Sequence, residues 1–151
     1  MVWAAINANF RSPLVIINGN LNAQRYIEDV LRPHLIPLLQ QHGGVARFVF
    51  QQDNATPHSA RATQQFLQQN AVSVMPWPAM SPDMNCIEHL WDVLDRRVDQ
   101  HRPRPQTRAA LTAVLLHHWN NIQQQQIRGL VTSMPRRLRA CIAANGGHTR
   151  Y

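Results

Sequence analysis

Two carboxylates, Asp53 and Glu88, are the residues best placed to do chemistry. Asp53 follows the apolar run Phe48–Phe50, and a carboxylate at the carboxyl end of a strand in an α/β sheet lies where such folds bind ligands. Glu88 falls in the first turn of a helix predicted to begin at Asn85, and 34 residues separate it from Asp53. A helix and a short strand predicted between them return the chain to the same sheet edge. We therefore expect the two carboxylates to meet there.

Neighbouring carboxylates repel each other, and a bound divalent cation relieves this repulsion. Hard oxygen ligands with no cysteine and no histidine pair nearby favour Mg²⁺ or Mn²⁺ over Zn²⁺, so Asp53 and Glu88 are predicted metal ligands. Structural roles stay open for both: Asp53 can shape the turn that follows it, and Glu88 can complete a capping box begun by Asn85. Asp92 is typical of solvated helix surface, although it can also reach a metal at this site. His58 is predicted to pack a loop.

The elements that must position these carboxylates form an α/β chain. Predicted strands lie at 2–7, 13–17, 48–50 and 72–75, and predicted helices begin at Asn22, Ser59, Asn85, Thr107 and Ser133. A short polar link between the first two strands favours a hairpin. The later strands alternate with helices, which implies parallel pairing.

Helical periodicity also predicts which side chains face the core. Pro33 and Pro37 are expected to kink or divide the first helix. The residues expected to face inward are Tyr26, Ile27, Val30, Leu31, Leu35, Leu38, Leu39, Ala62, Phe66, Leu67, Ile87, Leu90, Trp91, Leu94, Val98, Leu111, Val114, Leu115, His118, Trp119, Leu138 and Ile142.

The charge of the chain points to a polyanionic partner. All 15 basic residues are arginine, against 8 acids, which gives a net charge of +7. Nucleic acid is the first candidate for such a chain, although an Arg-rich helix surface or a compositional bias of the source also accounts for it. After Asp99 the chain has no acid and eight arginines, Arg150 among them. The candidate nucleic-acid-binding residues are Arg102, Arg104, Arg136, Arg137 and Arg139.

Several classes of protein are excluded or disfavoured. No apolar run approaches the roughly 20 residues that span a bilayer, so an integral membrane protein and a membrane partner are not expected. The first residues lack the pattern of a secretory signal. Without one, Cys86 and Cys141 are predicted to be reduced thiols.

Two long segments combine the carboxylates with their flanking motifs: FVFQQDNATPHSA at 48–60 and MPWPAMSPDMNCIEHLWDVLDRRV at 75–98. Both segments resemble the catalytic core of Tc1/mariner transposases, the Tc1-like branch in particular. The segments 2–31 and 133–151 resemble the middle and the C-terminal end of the same family. Cys86 departs from the family pattern, which usually has proline there, and a proline would suit the first turn of that helix.

The resemblance implies an RNase H-like fold, a mixed sheet flanked by helices with a helical C-terminal end. It also implies a three-carboxylate site with two Mg²⁺ ions that cleaves DNA at transposon ends and joins the freed 3′-hydroxyls to TA target sites. Asp53 matches the second catalytic carboxylate of the family and Glu88 the third. A nuclear location, DNA as partner and a possible homodimer follow from the same resemblance.

The first catalytic aspartate of the family has no counterpart among residues 1–151. Glu28 and Asp29 lie inside a helix pattern and do not match it. We therefore expect residues 1–151 to be a partial catalytic domain that lacks the first, central strand and the helix-turn-helix DNA-binding domains. Such a copy is predicted to be inactive, and the alternative is a non-catalytic nucleic-acid-binding module that uses the Arg-rich C-terminal region.

Loss of a central strand has a physical cost. It removes about 5–10 backbone hydrogen bonds worth roughly 1 kcal/mol each, comparable with the whole stability of a domain, roughly 5–15 kcal/mol. Two open strand edges also invite aggregation. We expect a marginally folded chain in which the hairpin at 2–17 either pairs with the strand at 48–52 or leaves a gap.

Overall fold

The computed structural model describes residues 1–79 and 81–147. Arg150 therefore lies outside the described residues. The described chain forms two compact units. Unit 1 contains Met1–Ala5 and Ser12–Ser81, and unit 2 contains Ile6–Arg11 and the described residues from Pro82 onward.

Unit 1 holds two short sheets. In the first, β1 (Val2–Trp3) pairs antiparallel with β2 (Val15–Ile16), which confirms the predicted hairpin. In the second, β3 (Val49–Phe50) pairs parallel with β4 (Ser73–Val74), which confirms the predicted parallel pairing. Among the described residues the two sheets do not join, so the hairpin does not pair with β3. The apolar run at 48–50 is typical of a buried strand. Val49 is nevertheless 59% exposed, because among the described residues β3 has a sheet neighbour on one side only.

The helix capped by Asn22 runs without a break to Gln41. It consists of α1 (Ala23–Arg25), a π-helical stretch (Tyr26–Leu35) and α2 (Ile36–Gln41). Asn22 Oδ1 accepts a hydrogen bond from the backbone N–H of Arg25 at 2.9 Å, as a helix cap does. Pro33 lies inside the π-helical stretch, and wider turns accommodate a residue without an N–H group. The prediction that the prolines divide the helix is therefore wrong.

This long helix supplies most of the core of unit 1. The short α3 (Thr56–Ser59) and α4 (Arg61–Gln69) complete the unit. Thr63 is fully buried and Ala62 is exposed, so the predicted inward position of Ala62 is wrong by one residue. The Thr63 hydroxyl donates to the Pro57 carbonyl at 2.6 Å, which explains how a polar side chain is tolerated there. The core residues are Ile17, Tyr26, Ile27, Val30, Leu31, Leu35, Ile36, Leu39, Phe66, Leu67 and Val72.

Unit 2 is helical, as expected for the C-terminal end. Its helices are α5 (Cys86–Gln100), α6 (Arg108–Asn120), α7 (Gln124–Thr132) and α8 (Met134–Ala143). The predicted caps are confirmed for α5 and α6: Asn85 accepts from the N–H of Ile87, and Thr107 from that of Ala110. Helix α7 begins within a run of glutamines, and no apolar periodicity at that point of the sequence predicted it.

The core of unit 2 is built around Trp119, which is fully buried and stacks on Trp91 with ring centroids 5.6 Å apart. Arg11 lies over Trp119. Its guanidinium donates to the backbone carbonyls of Asn120, the last residue of α6, and of Ile122, two residues further on. A cation placed there satisfies carbonyls that a helix end leaves unpaired.

The predicted inward face of α8 is wrong. Leu138 is 48% exposed and Ile142 is 73% exposed, whereas Arg137 of the same helix is buried. The Arg137 guanidinium donates to Ser133 Oγ at 3.1 Å and to the Asp83 carbonyl at 3.3 Å. These hydrogen bonds orient the helix with its arginine inward.

Two other expectations concern the cysteines and membrane-spanning helices. Cys86 is buried and Cys141 is half-buried, and that both are reduced thiols stays a prediction. No helix in the described part of the chain has the length and apolar character needed to cross a bilayer.

Candidate active site

Asp53 lies in unit 1, in the loop that leaves the carboxyl end of β3. The preceding Gln52 anchors this loop, because its Oε1 accepts from the Tyr26 hydroxyl at 2.9 Å and its Nε2 donates to the His58 carbonyl at 3.4 Å. The side chain of Asp53 is nevertheless 58% exposed. The loop is therefore held to the core while its carboxylate faces solvent.

One oxygen of the Asp53 carboxylate is engaged. Its Oδ1 accepts from the backbone N–H of Ala55 at 3.0 Å and lies 2.6 Å from Nδ1 of His58. The first contact is the turn-shaping role that the sequence left open. Within the described residues Oδ2 accepts no hydrogen bond, so the carboxylate is oriented and keeps one oxygen available to a ligand.

His58 was missed as a member of this site. Its side chain is only 17% exposed, and its ring lies against the ring of Tyr26 with centroids 4.5 Å apart. It therefore packs the loop, as predicted, and also contacts the carboxylate. The spacing of five residues between Asp53 and His58, with a helix beginning between them, is the only sequence signal for the contact.

Tyr26 links this loop to the core. It is fully buried, and burial raises the pKa of its hydroxyl, an effect that the nearby negative charge of Asp53 reinforces. The hydroxyl therefore stays protonated and donates to Gln52. Tyr26 consequently fixes both Gln52 and His58.

A cleft of about 370 Å³ opens beside Asp53. Asn54 crosses one side of it, donating from Nδ2 to the Trp77 carbonyl at 2.9 Å. This contact ties the loop after β3 to the segment after β4. The cleft is lined by Gln52, Asp53, Asn54, His58, Ser59, Gln64, Leu67, Gln68, Val72, Val74, Met75, Pro76 and Trp77. The Asp53 carboxylate is therefore accessible from the cleft, whose lining also includes the aromatic side chain of Trp77.

Glu88 lies in unit 2, in the first turn of α5, and is exposed. Its Oε1 is 3.5 Å from Nδ2 of the capping residue Asn85, and its backbone N–H donates to the Asn85 carbonyl at 3.2 Å. The N-cap thus holds the first turn that carries Glu88. That Asp53 and Glu88 share a metal ion stays a prediction.

The donor chemistry of these two residues fits a hard divalent cation, since both offer exposed carboxylate oxygens. Among residues 1–79 and 81–147 no group of three or more His, Cys, Asp or Glu side chains is arranged to hold a metal ion. Asp92, on the same helix as Glu88, is exposed as expected of a solvated position.

The candidate nucleic-acid-binding arginines of unit 2 differ in their surroundings. Arg102, Arg104, Arg136 and Arg139 are exposed, and Arg104 forms an ion pair with Asp99 at 2.7 Å in which both side chains are largely exposed. Arg137 is buried, and its donors are turned to its own unit. Four of the five predicted arginines are therefore exposed to solvent, and one is not.

The chain has close relatives of known type. Residues 1–112 match the family model described as DDE superfamily endonuclease. The Tc1 transposase of Caenorhabditis elegans is 36% identical over 151 residues, which are all of this chain and 54% of the relative. The Tc3 transposase of the same organism is 34% identical over all of this chain and 45% of its own length. The chain thus spans about half the length of the curated relatives it matches.

The fold is that of a solved transposase domain. The structure titled "Structure of Mos1 transposase catalytic domain and Raltegravir with Mg" superposes with a TM-score of 0.79, at 22% identity, over 99% of this chain and 75% of that chain. The predicted RNase H-like mixed α/β fold and the resemblance to Tc1/mariner transposases are confirmed. With its family-model match over residues 1–112 and its full-length similarity to Tc1 and Tc3, this chain belongs to the DDE superfamily endonucleases.

Proposed function

We propose that this chain takes part in DNA transposition as the portion of a DDE transposase catalytic domain that carries Asp53 and Glu88. The observation that carries the proposal is the Asp53 carboxylate, exposed after a parallel strand pair and oriented by His58 and Ala55 through one oxygen only. An oriented carboxylate with a second oxygen available is what a metal-dependent phosphodiester reaction requires.

Asp53 and Glu88 would hold Mg²⁺, or Mn²⁺ in its place. In a two-metal site such ions activate the attacking oxygen and stabilise the leaving oxygen of a phosphodiester. The part of this chain is to present carboxylate oxygens in a defined orientation: His58 and the Ala55 N–H hold Asp53, and the Asn85 cap holds the turn of Glu88. The substrates proposed are transposon ends and TA target sites, in the nucleus, with a homodimer as the acting form.

We propose further that residues 1–151 form a partial catalytic domain. In the part of unit 1 that the structure describes, the two two-stranded sheets stay separate. The sequence before Asp53 has no third carboxylate that matches the family pattern. Two-metal chemistry needs the ligand that the two ions share. The 151-residue chain alone is therefore expected to cleave DNA poorly or not at all.

Plasmid nicking tests this proposal. The 151-residue chain is incubated with supercoiled DNA with and without Mg²⁺, beside an Asp53→Ala variant and a Glu28→Ala control on an exposed helix face of unit 1. Strong Mg²⁺-dependent nicking that Asp53→Ala abolishes would contradict the inactivity of the chain. If added Asp-bearing upstream sequence restores cleavage and Asp53→Ala does not remove it, the role assigned to Asp53 is wrong.

A second candidate function is nucleic-acid binding without catalysis. It is favoured by the exposed arginines Arg102, Arg104, Arg136 and Arg139 in a region with no acid after Asp99. If Z phosphates are contacted, the logarithm of the affinity falls with the logarithm of salt at a slope of about −0.9Z. Glu88→Ala separates the two functions, because it removes cleavage by a longer active form and leaves DNA binding intact. Absence of binding at low salt would reject this function.

A further inference from the structure

A groove of about 580 Å³ lies in unit 2, between the C-terminal end of α5 and the C-terminal end of α6. Its lining is cationic or titratable, apart from two neutral amides. The lining residues are Arg97, Gln100, His101, Arg102, His117, His118 and Asn121. This lining contains no carboxylate, so its positive charge is not neutralised from within the groove.

The three histidines form a contiguous cluster. The His101 and His118 rings meet edge to face with centroids 5.5 Å apart, and the His117 and His118 rings with centroids 5.3 Å apart. Nε2 of His118 is shielded from solvent and has no hydrogen-bond partner among the described residues. A polar atom desolvated without a hydrogen bond costs free energy, which an acceptor oxygen brought by a ligand would offset.

The two arginines keep donors for a ligand. Arg97 makes one long hydrogen bond, from Nη1 to the His118 carbonyl at 3.4 Å, and Arg102 donates from the same atom to the carbonyls of Asp99 and His101. A guanidinium has five N–H donors, so both keep several. The nearest acid along the chain, Asp99, is paired with Arg104 instead.

A metal cation does not suit this groove, because Arg97 and Arg102 already donate to backbone carbonyls at the two helix ends that border it. Two guanidinium groups repel it, and the three histidines are not among any metal-binding arrangement in the described residues. A tetrahedral oxyanion suits it better, because three or four oxygens can accept from donors that converge from two helix ends, and arginine forks match phosphate oxygens in pairs.

We propose that this groove, formed by Arg97, His101, Arg102, His117 and His118, binds a phosphate group. The source is either a phosphodiester of the DNA backbone or a free phosphate. The proposal goes beyond the proposed cleavage function, since it needs neither Asp53 nor Glu88. Arg102 would then contact a phosphate group in one defined groove, and not as one of several arginines on a general basic surface.

Binding is expected to be coupled to proton uptake. Burial lowers the pKa of His118, and the electrostatic influence of the neighbouring His117, His101 and Arg97 lowers it further. A bound anion offsets this influence and raises the pKa, so the complex takes up a proton. Affinity therefore rises as pH falls, by up to about tenfold per pH unit for each proton taken up. The other charged group facing the groove, Arg102, keeps its charge throughout.

Titration calorimetry of the 151-residue chain tests the proposal. Inorganic sulfate is the first probe, because its charge stays constant between about pH 6 and about pH 8, the range in which histidine titrates. We expect sulfate affinity to rise as pH falls across this range. Arg102→Gln is expected to weaken it about tenfold, as for loss of a hydrogen bond to a charged group. The exposed Arg104→Gln removes the same charge outside the groove and is expected to change it less than about twofold.

A short DNA duplex is the second probe and distinguishes the sources. If Arg102→Gln weakens both probes more than Arg104→Gln does, the ligand is a backbone phosphate. If it weakens sulfate and inorganic phosphate alone, the ligand is a free phosphate. Equal effects of the two variants on every probe, or sulfate binding that is independent of pH, would overturn the proposal. Asp53→Ala must leave sulfate binding unchanged, which separates this site from the cleavage proposal.

Discussion

The contact between Asp53 and His58 yields a quantitative prediction for His58→Ala. A hydrogen bond to a charged group is worth about 1.5–3 kcal/mol when desolvated, but Asp53 is 58% exposed, which reduces this to about 0.5–1 kcal/mol. The ring contact with Tyr26 at 4.5 Å adds about 0.5–1.5 kcal/mol. The substitution should therefore lower the free energy of unfolding by about 1–2.5 kcal/mol.

A double-mutant cycle measured by urea unfolding isolates the Asp53 contribution. The cycle combines His58→Ala with Asp53→Ala in a buffer with a chelator, so that metal binding does not add to stability. The coupling free energy should be about 0.5–1 kcal/mol, with the remainder assigned to the ring contact with Tyr26. His89→Ala is the control, since His89 is exposed on α5 and its loss should change stability by less than about 0.5 kcal/mol.

The same variant should affect metal affinity. Groups that orient a metal ligand typically change affinity by about 10–100-fold when they are removed. Mg²⁺ binding measured by calorimetry should therefore weaken by about tenfold or more in His58→Ala. A coupling free energy below about 0.3 kcal/mol together with unchanged Mg²⁺ affinity would refute the view that His58 orients Asp53.

Three further predictions concern stability. Tyr26→Phe removes the 2.9 Å hydrogen bond to Gln52 and should cost about 1 kcal/mol in urea unfolding. In the folded chain the pKa of Tyr26 lies above its usual 10.0, so the stability that this raised pKa contributes is complete below pH 10.0. Above pH 10.0 the free energy of unfolding falls, because the unfolded chain loses the tyrosine proton first. Tyr26→Phe should lack the Tyr26 contribution to this fall, and the same dependence of stability on pH in both proteins would contradict the prediction. Thr107→Ala removes the cap of α6 and should cost about 1 kcal/mol, checked by thermal unfolding followed by circular dichroism. Leu67→Ala should cost about 2–5 kcal/mol and the exposed Leu138→Ala under about 0.5 kcal/mol, and similar costs for both would contradict the orientation of α8.

Much of the fold follows from local pattern. Asn22, Asn85 and Thr107 were predicted as helix caps from their residue types and positions, and all three cap helices. The alternation of strands and helices predicted the parallel pairing of β3 with β4, because a helix between two strands commonly carries the chain back across the sheet, so that both strands run in the same direction. These features depend on a few neighbouring residues, so the sequence carries them directly.

Other features depend on what lies opposite each side chain. Arg137 faces inward while Leu138 and Ile142 face out, because the Asp83 carbonyl and Ser133 accept from the guanidinium. The π-helical turns around Pro33 likewise arise from packing a continuous helix across a residue that cannot donate a hydrogen bond. Local periodicity in the sequence indicates neither the acceptors of the Arg137 guanidinium nor the packing around Pro33.

The candidate sites likewise combine features that local sequence predicts with features that depend on tertiary packing. The sequence alone determined the family and the positive charge of the C-terminal region, and it predicts Asp53 and Glu88 as the catalytic carboxylates. Only the tertiary structure brought His58 onto Oδ1 of Asp53 and gathered His101, His117 and His118 with two arginines around one groove. Residue type and spacing specify which chemistry a chain can offer, whereas the distance between side chains far apart in sequence is set by packing of the elements that carry them.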